Sequence, residues 1–260
     1  MHITRYSWKD WEPGFVSLDG DRIELFDENI DFTIGERKCT GYSRNSKVIQ
    51  CPNNVTVTAW KCKSCMFHDN FFMCMRCTGD KCLNEKRRDK CKKEKYFVYI
   101  SIFDSLAKVG ISQSFRLRQR LVEQGADFAA KVAFTEDGKT VRELEKKISK
   151  HLDITDRVRG TQKQKRLFGD PNISMKVLSS MINKLHNNGF DKHLINPEIY
   201  DLREYYRLGS VPVHPEHITM EEGVNISGTV KAVKGNIIIL EKNDKFLSFN
   251  AHDMIGRMVN

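Results

Sequence analysis

Tyr96-Phe97-Val98-Tyr99-Ile100-Ser101-Ile102 is a nearly continuous run of apolar, aromatic and β-branched residues, and it reads as a buried strand. Phe103-Asp104-Ser105-Leu106 turns the chain, and Ala107-Lys108-Val109-Gly110-Ile111 supplies a second strand. From Ser114 to Gln124 strand alternation is lost, good helix formers take over, and Leu117 and Leu121 lie one turn apart; Gly125 then stops the helix as a C-cap. Phe128 to Phe134 gives a third strand, and Thr140 opens a second helix with Val141, Leu144, Ile148 and Leu152 on one face. On that helix Glu145 falls on the inward side beside Val141, Ile148 and Leu152, whereas Glu143 points away. A carboxylate at an apolar border is costly unless something pairs with it. The bland reading is a boundary salt bridge; the other is a functional acid.

All eight cysteines lie upstream of this run: Cys39, Cys51, Cys62, Cys65, Cys74, Cys77, Cys82 and Cys91. Cys62-Lys63-Ser64-Cys65 and Cys74-Met75-Arg76-Cys77 are C-x-x-C knuckles, a spacing by which two thiolates grip one ion from a tight turn. Residues 39 to 91 have few periodic apolar positions, so one or two structural Zn²⁺ ions would stand in for the missing core. Eight thiols permit two four-cysteine sites, but the partition stays open. Cys62, Cys65, Cys74 and Cys77 can go together, leaving Cys39, Cys51, Cys82 and Cys91, or the knuckles can interleave. A redox use of Cys62 and Cys65 is disfavoured, because that knuckle does not open a helix in a βαβ pattern.

The chain has 260 residues, is 40% hydrophobic and 30% charged, and carries a formal net charge of +9. The first residues lack a signal-peptide core and no apolar run reaches bilayer-spanning length, so the expectation is a cytoplasmic protein with no membrane partner. The positive charge is concentrated in two stretches. One, from Lys81 to Lys95, includes Lys90, Lys92 and Lys93; the other contains Arg157, Arg159, Lys163, Lys165 and Arg166 with no acid between its ends. Both fit contact with a phosphate backbone, DNA or RNA. Tyr6, Trp8, Trp11, Trp60, Phe71 and Phe72 are candidate base-stacking groups, against core packing as the ordinary use of each.

The remainder is organised around these parts. Phe15 to Leu18, a turn, and Arg22 to Phe26 form a hairpin within an N-terminal element, residues 1–38, followed by the cysteine-rich segment, 39–95. The domain decided by the Tyr96 run spans 96–168. A helical connection, 169–220, holds a helix from Ile173 to about Asn187 ended by Gly189, and a β-meander, 221–260, is expected to close with the hairpin into a small barrel-like element. The fold class is therefore α+β: a small antiparallel sheet flanked by helices, preceded by a zinc-ribbon-like segment.

The order strand with Tyr99, hairpin, strand with Gly110, helix with Arg120, strand, helix with Glu145 resembles the GIY-YIG nuclease domain. Phe97-Val98-Tyr99 stands in the first namesake motif and Lys108-Val109-Gly110 in the second. More closely, Val98-Tyr99-Ile100, Lys108-Val109-Gly110-Ile111-Ser112 and Arg120-Leu121-Val122-Glu123-Gln124-Gly125-Ala126 resemble the core of domain of unknown function 2797, a cysteine-rich segment followed by a GIY-YIG-like domain. The resemblance implies a metal-dependent endonuclease. Glu145 would bind Mg²⁺ or Mn²⁺, Arg120 would meet the scissile phosphate, and Tyr99 or Lys108 would orient or deprotonate the nucleophile. Phe97 replaces the first glycine and Lys108 the second tyrosine, as in lysine-bearing branches of that superfamily. The alternative is a binding module on the same scaffold, because a fold does not fix an activity.

Overall fold

The computed structural model describes every residue except Ser46, 187–189 and Asp191, so the expected helix stop at Gly189 lies outside the described residues. The chain divides into two compact units, Met1–Met75 with Arg207–Asn260, and Arg76–Tyr206. The class is α+β with antiparallel sheets. Among the described residues no helix is long and apolar enough to cross a membrane.

The second unit is built on the strand Tyr96–Phe103, which pairs antiparallel with Leu106–Gln113 on one side and Phe128–Thr135 on the other. Side chains alternate across a strand, so the two faces carry different chemistry. Val98, Ile100 and Ile102 face a core shared with Val109, Val132, Val141, Leu144, Ile148 and Leu178. The helices Gly138–Leu152 and Pro171–His186 supply that core. Tyr99 and Ser101, with their cross-strand partners Gly110 and Lys108, occupy the opposite face. There the helix Leu117–Gln124 buries Leu117 and Leu121 and ends at Gly125, whose φ of 78° supplies the expected left-handed cap. The Glu145 helix starts two residues earlier than its periodicity suggested, because the Asp137 carboxylate accepts from the Lys139 and Thr140 N–H groups at 3.3 and 2.8 Å.

A fourth strand, Leu194–Asp201, joins the free edge of Phe128–Thr135 inside the stretch expected to be a helical connection. Pro197 hid it. Proline is tolerated at a sheet edge or bulge, and the pairing register shifts between Leu194 and Glu198, around Pro197.

In the first unit the expected barrel-like element is corrected to open sheets. Asn29–Arg37, Asn225–Lys234, Ile237–Lys242 and Lys245–Asn250 are flanked by the short edges Arg257–Val259 and Glu216–His217, which do not pair with each other. The hairpin Glu12–Ser17 with Arg22–Glu24 lies in a separate three-stranded sheet with Ile3–Lys9. That first strand was not read from the sequence because a register shift between Ile3 and Arg5 breaks its period of two. Trp8 is buried and donates from Nε1 to the Gly235 carbonyl at 2.9 Å, so it belongs to the core and not to a stacking surface.

Gly110 fixes the geometry of the polar face. A Cβ there would lie 2.4 Å from the Tyr99 hydroxyl oxygen. Gly110→Ala is therefore expected to destabilise the protein by about 1–3 kcal/mol in urea unfolding. The cost should shrink when Tyr99→Leu is already present; an equal cost in both backgrounds would contradict the contact.

Candidate functional site

Two constellations stand out, one in each unit. In the first, the Sγ atoms of Cys39, Cys51, Cys62 and Cys65 all lie within 4.8 Å of one another, and Cys39, Cys51 and Cys65 are buried. Cys62 caps the helix Lys63–His68, placing Cys65 one turn in, with the Cys65 N–H 3.5 Å from the Cys62 sulfur. Cys39 follows the strand Asn29–Arg37 and accepts from the Cys62 N–H at 3.2 Å. Gly41 takes φ 74° beside it, where a Cβ would fall 2.0 Å from the Ile49 carbonyl oxygen. Asp69 then locks the knuckle to the strand Tyr42–Arg44, which pairs antiparallel with Lys47–Ile49, accepting from the N–H groups of Ser43, Phe71 and Phe72 and pairing with Lys61 at 3.2 Å.

The arrangement fits a metal ion. Tetrahedral thiolates at zinc-like bond lengths would place sulfurs about 3.8 Å apart, and Cys51 and Cys62 stand at 3.9 Å. Burial and the neighbouring sulfurs push the Cys65 thiol far above its ordinary range. Four adjacent thiolates need a cation to ionise together. The Cys62–Cys65 knuckle thus goes with Cys39 and Cys51, not with Cys74 and Cys77. Of the other cysteines, Cys74 sits in the helix Phe72–Met75, and Cys77 and Cys82 face the carbonyls of Lys81 and Asn84. Cys91 lies 3.8 Å from Arg142 Nη1. None of the eight forms a disulfide, and among the described residues the four-cysteine gathering is the one at Cys39.

The second constellation lies on the polar sheet face. Lys108 Nζ donates to Gln124 Oε1 at 2.9 Å, and Gln124 Nε2 donates to the Tyr99 hydroxyl at 2.9 Å. The three residues are 8%, 9% and 1% exposed, respectively. Gln124 was not singled out in the sequence; its one signal was its place one turn after Arg120 on the same helical stripe. Arg120 itself is exposed, with Nη1 3.9 Å from Glu123 Oε2.

Glu145 is half-buried on its helix. Burial pushes its carboxyl up to about 7, helped by the nearby Asp156 charge and opposed by Lys108 and Arg142. Thr155 explains how these groups meet: it bridges in parallel to Lys108 and accepts from the Val109 N–H at 3.0 Å, extending the sheet edge and bringing Asp156 alongside. Arg157, Arg159 and Lys165 follow, all exposed, while Lys163 and Arg166 are half-buried. Lys163 lies 5.7 Å over the Phe103 ring. Lys90, Lys92 and Lys93 are exposed near the helix Arg88–Cys91, and among the described residues they form no ion pair.

An acid whose folded pKa exceeds its unfolded value favours the fold while protonated. For Glu145 that contribution is fully present below its ordinary value of 4.5 and is lost as pH rises through about 7. Glu145→Gln, which cannot ionise, should gain stability relative to the parent chain between about pH 5 and about pH 8, by roughly 2 kcal/mol in urea unfolding. A difference that does not change with pH would contradict this burial. In comparisons with known proteins, no curated protein and no solved structure matches the chain. The family model described as "Protein of unknown function (DUF2797)" matches residues 27–259, which include the four-cysteine group and the whole second unit. The chain belongs to the DUF2797 family.

Proposed function

We propose that this chain is a zinc-stabilised protein that acts on nucleic acid, hydrolysing phosphodiester bonds at a GIY-YIG-like site formed by Tyr99, Lys108, Gln124 and Glu145, with Arg120 at its rim. The observation that carries the reading is an excess of buried hydrogen-bond donors on one sheet face, at the edge strand Leu106–Gln113 and its neighbour. Lys108 has three N–H groups, of which the described residues engage one, through Gln124. The Tyr99 O–H finds no acceptor among them. A buried donor left unmade costs about 1–3 kcal/mol, and a phosphate oxygen satisfies several at once. The basic stretch from Arg157 to Arg166 leaves the chain next to this edge, so a backbone held by it would pass the site.

In this reading Lys108 and Tyr99 bind and orient the phosphate and the attacking water, and Arg120 offsets the charge that builds as the new P–O bond forms and the old one breaks. Glu145, with Asp156 beside it, is the group that would hold a divalent cation, Mg²⁺ or Mn²⁺, which suits oxygen ligands and would lower the pKa of a bound water. The order of strands and helices around Tyr99 supports the GIY-YIG-like assignment, and Lys108 takes the place of the missing tyrosine.

Zinc is proposed for Cys39, Cys51, Cys62 and Cys65 because four thiolates favour a soft ion. Elemental analysis should find zinc, with Cys39→Ser and Cys65→Ser each losing the same single equivalent; a zinc content untouched by either variant contradicts the assignment. For activity, purified protein with Mg²⁺ or Mn²⁺ should nick DNA or structured RNA. Glu145→Ala and Arg120→Ala should lower the rate about 100-fold or more without weakening binding. Cleavage retained in both variants would remove these residues from the mechanism. Tight, salt-sensitive binding without cleavage would instead favour the binding module.

A further inference from the structure

We infer that Gln124 is a positioning residue of this site, one that sets the direction of the Tyr99 O–H; the inference rests on the hydrolase reading above. The Lys108 ammonium has donors only, so the atom of the Gln124 amide that meets it must be the oxygen. The amide nitrogen is thereby turned to Tyr99, and because that nitrogen can only donate, the phenolic oxygen must accept. The tyrosine hydrogen then points away from the helix. The chemistry of the lysine thus fixes the amide's orientation.

Burial makes the arrangement binding on all three groups. Tyr99, Lys108 and Gln124 are each less than a tenth exposed, so water competes poorly for these bonds. Gly110 leaves the room this position of the phenol needs, since any side chain there would overlap the phenolic oxygen. With one lone pair occupied by Gln124 and no acceptor for its hydrogen among the described residues, the hydroxyl is set to donate to an entering phosphate oxygen or water. Gln124 itself acts through Tyr99 and Lys108. Its place one turn beyond Arg120 also means that a single helix aligns the rim cation with the buried bridge.

Gln124→Glu separates the two bonds. A carboxylate still receives the Lys108 ammonium but cannot donate to Tyr99, so the phenol turns its hydrogen inward. Isotope-edited infrared spectroscopy of the tyrosine C–O stretch, with Tyr99→Phe identifying the band, reads whether this hydroxyl accepts or donates. The expected result is a shifted Tyr99 band in Gln124→Glu, together with a kcat lowered roughly 10- to 100-fold at a KM changed little. Gln124→Met, which removes both bonds, should move the band as well and serves if the glutamate variant does not fold. An unmoved band in a folded variant, or an unchanged kcat, overturns the inference. A moved band in a protein that cleaves no nucleic acid counts against the hydrolase reading alone.

Discussion

The amide of Gln124, held between a buried ammonium and a buried phenol, is the contact on which the architecture of the second unit turns. A sheet whose one face is given to Val98, Ile100, Ile102 and Val109 would ordinarily leave its other face either apolar or open to water. Here Leu117 and Leu121 press a helix onto that face while Lys108 and Tyr99 remain beneath it. Without Gln124 the lysine would be a buried charge lacking a hydrogen-bond partner among the described residues, which is among the costlier defects a fold can carry. Gly110 and the Gly125 cap are consequences: the first leaves room for the phenol, the second ends the helix one residue after the amide. A buried polar cluster of this kind costs stability, and the raised Glu145 carboxyl belongs to the same pattern.

In the first unit the organising constraint is of another kind. Around Cys39, Cys51 and Cys65 the partly buried apolar neighbours are few: Tyr42, Val57 and Cys62. Thiols drawn this close repel once ionised, a repulsion that a bound cation would offset. Asp69 supplies a tie of a different kind. Burial alone would raise this carboxyl, yet N–H groups of Phe71 and Ser43 and the Lys61 ammonium hold it below its ordinary value, tying the helix Lys63–His68 to the strand Tyr42–Arg44.

Much of this was legible in the sequence for definite reasons. Strands at Tyr96 and Phe128 and the helix bearing Glu145 follow from strong periodicity, and Gly125 from the left-handed backbone that a helix end requires. Glu145 was visible because a carboxylate on an apolar stripe contradicts burial chemistry. What stayed hidden was non-local. The partner of the Cys62–Cys65 knuckle is set by where the strand ending at Arg37 delivers Cys39, which no spacing encodes. Leu194–Asp201 was masked by Pro197, and the expected barrel failed because closure depends on which edges meet. Gln124 was concealed by its ordinariness: only the fold reveals that its two ends meet a lysine and a tyrosine from neighbouring strands.

The central claim is that nucleic acid lies across the sheet edge marked by Lys108 and Thr155, beside Tyr99 of the neighbouring strand. Mass spectrometry of peptides photo-crosslinked to nucleic acid that co-purifies with Glu145→Gln protein tests it directly. The account predicts crosslinks in the peptides bearing Tyr99, Lys108 and Arg157 to Arg166. Crosslinks confined to other segments, or none from nucleic acid that does co-purify, would contradict it.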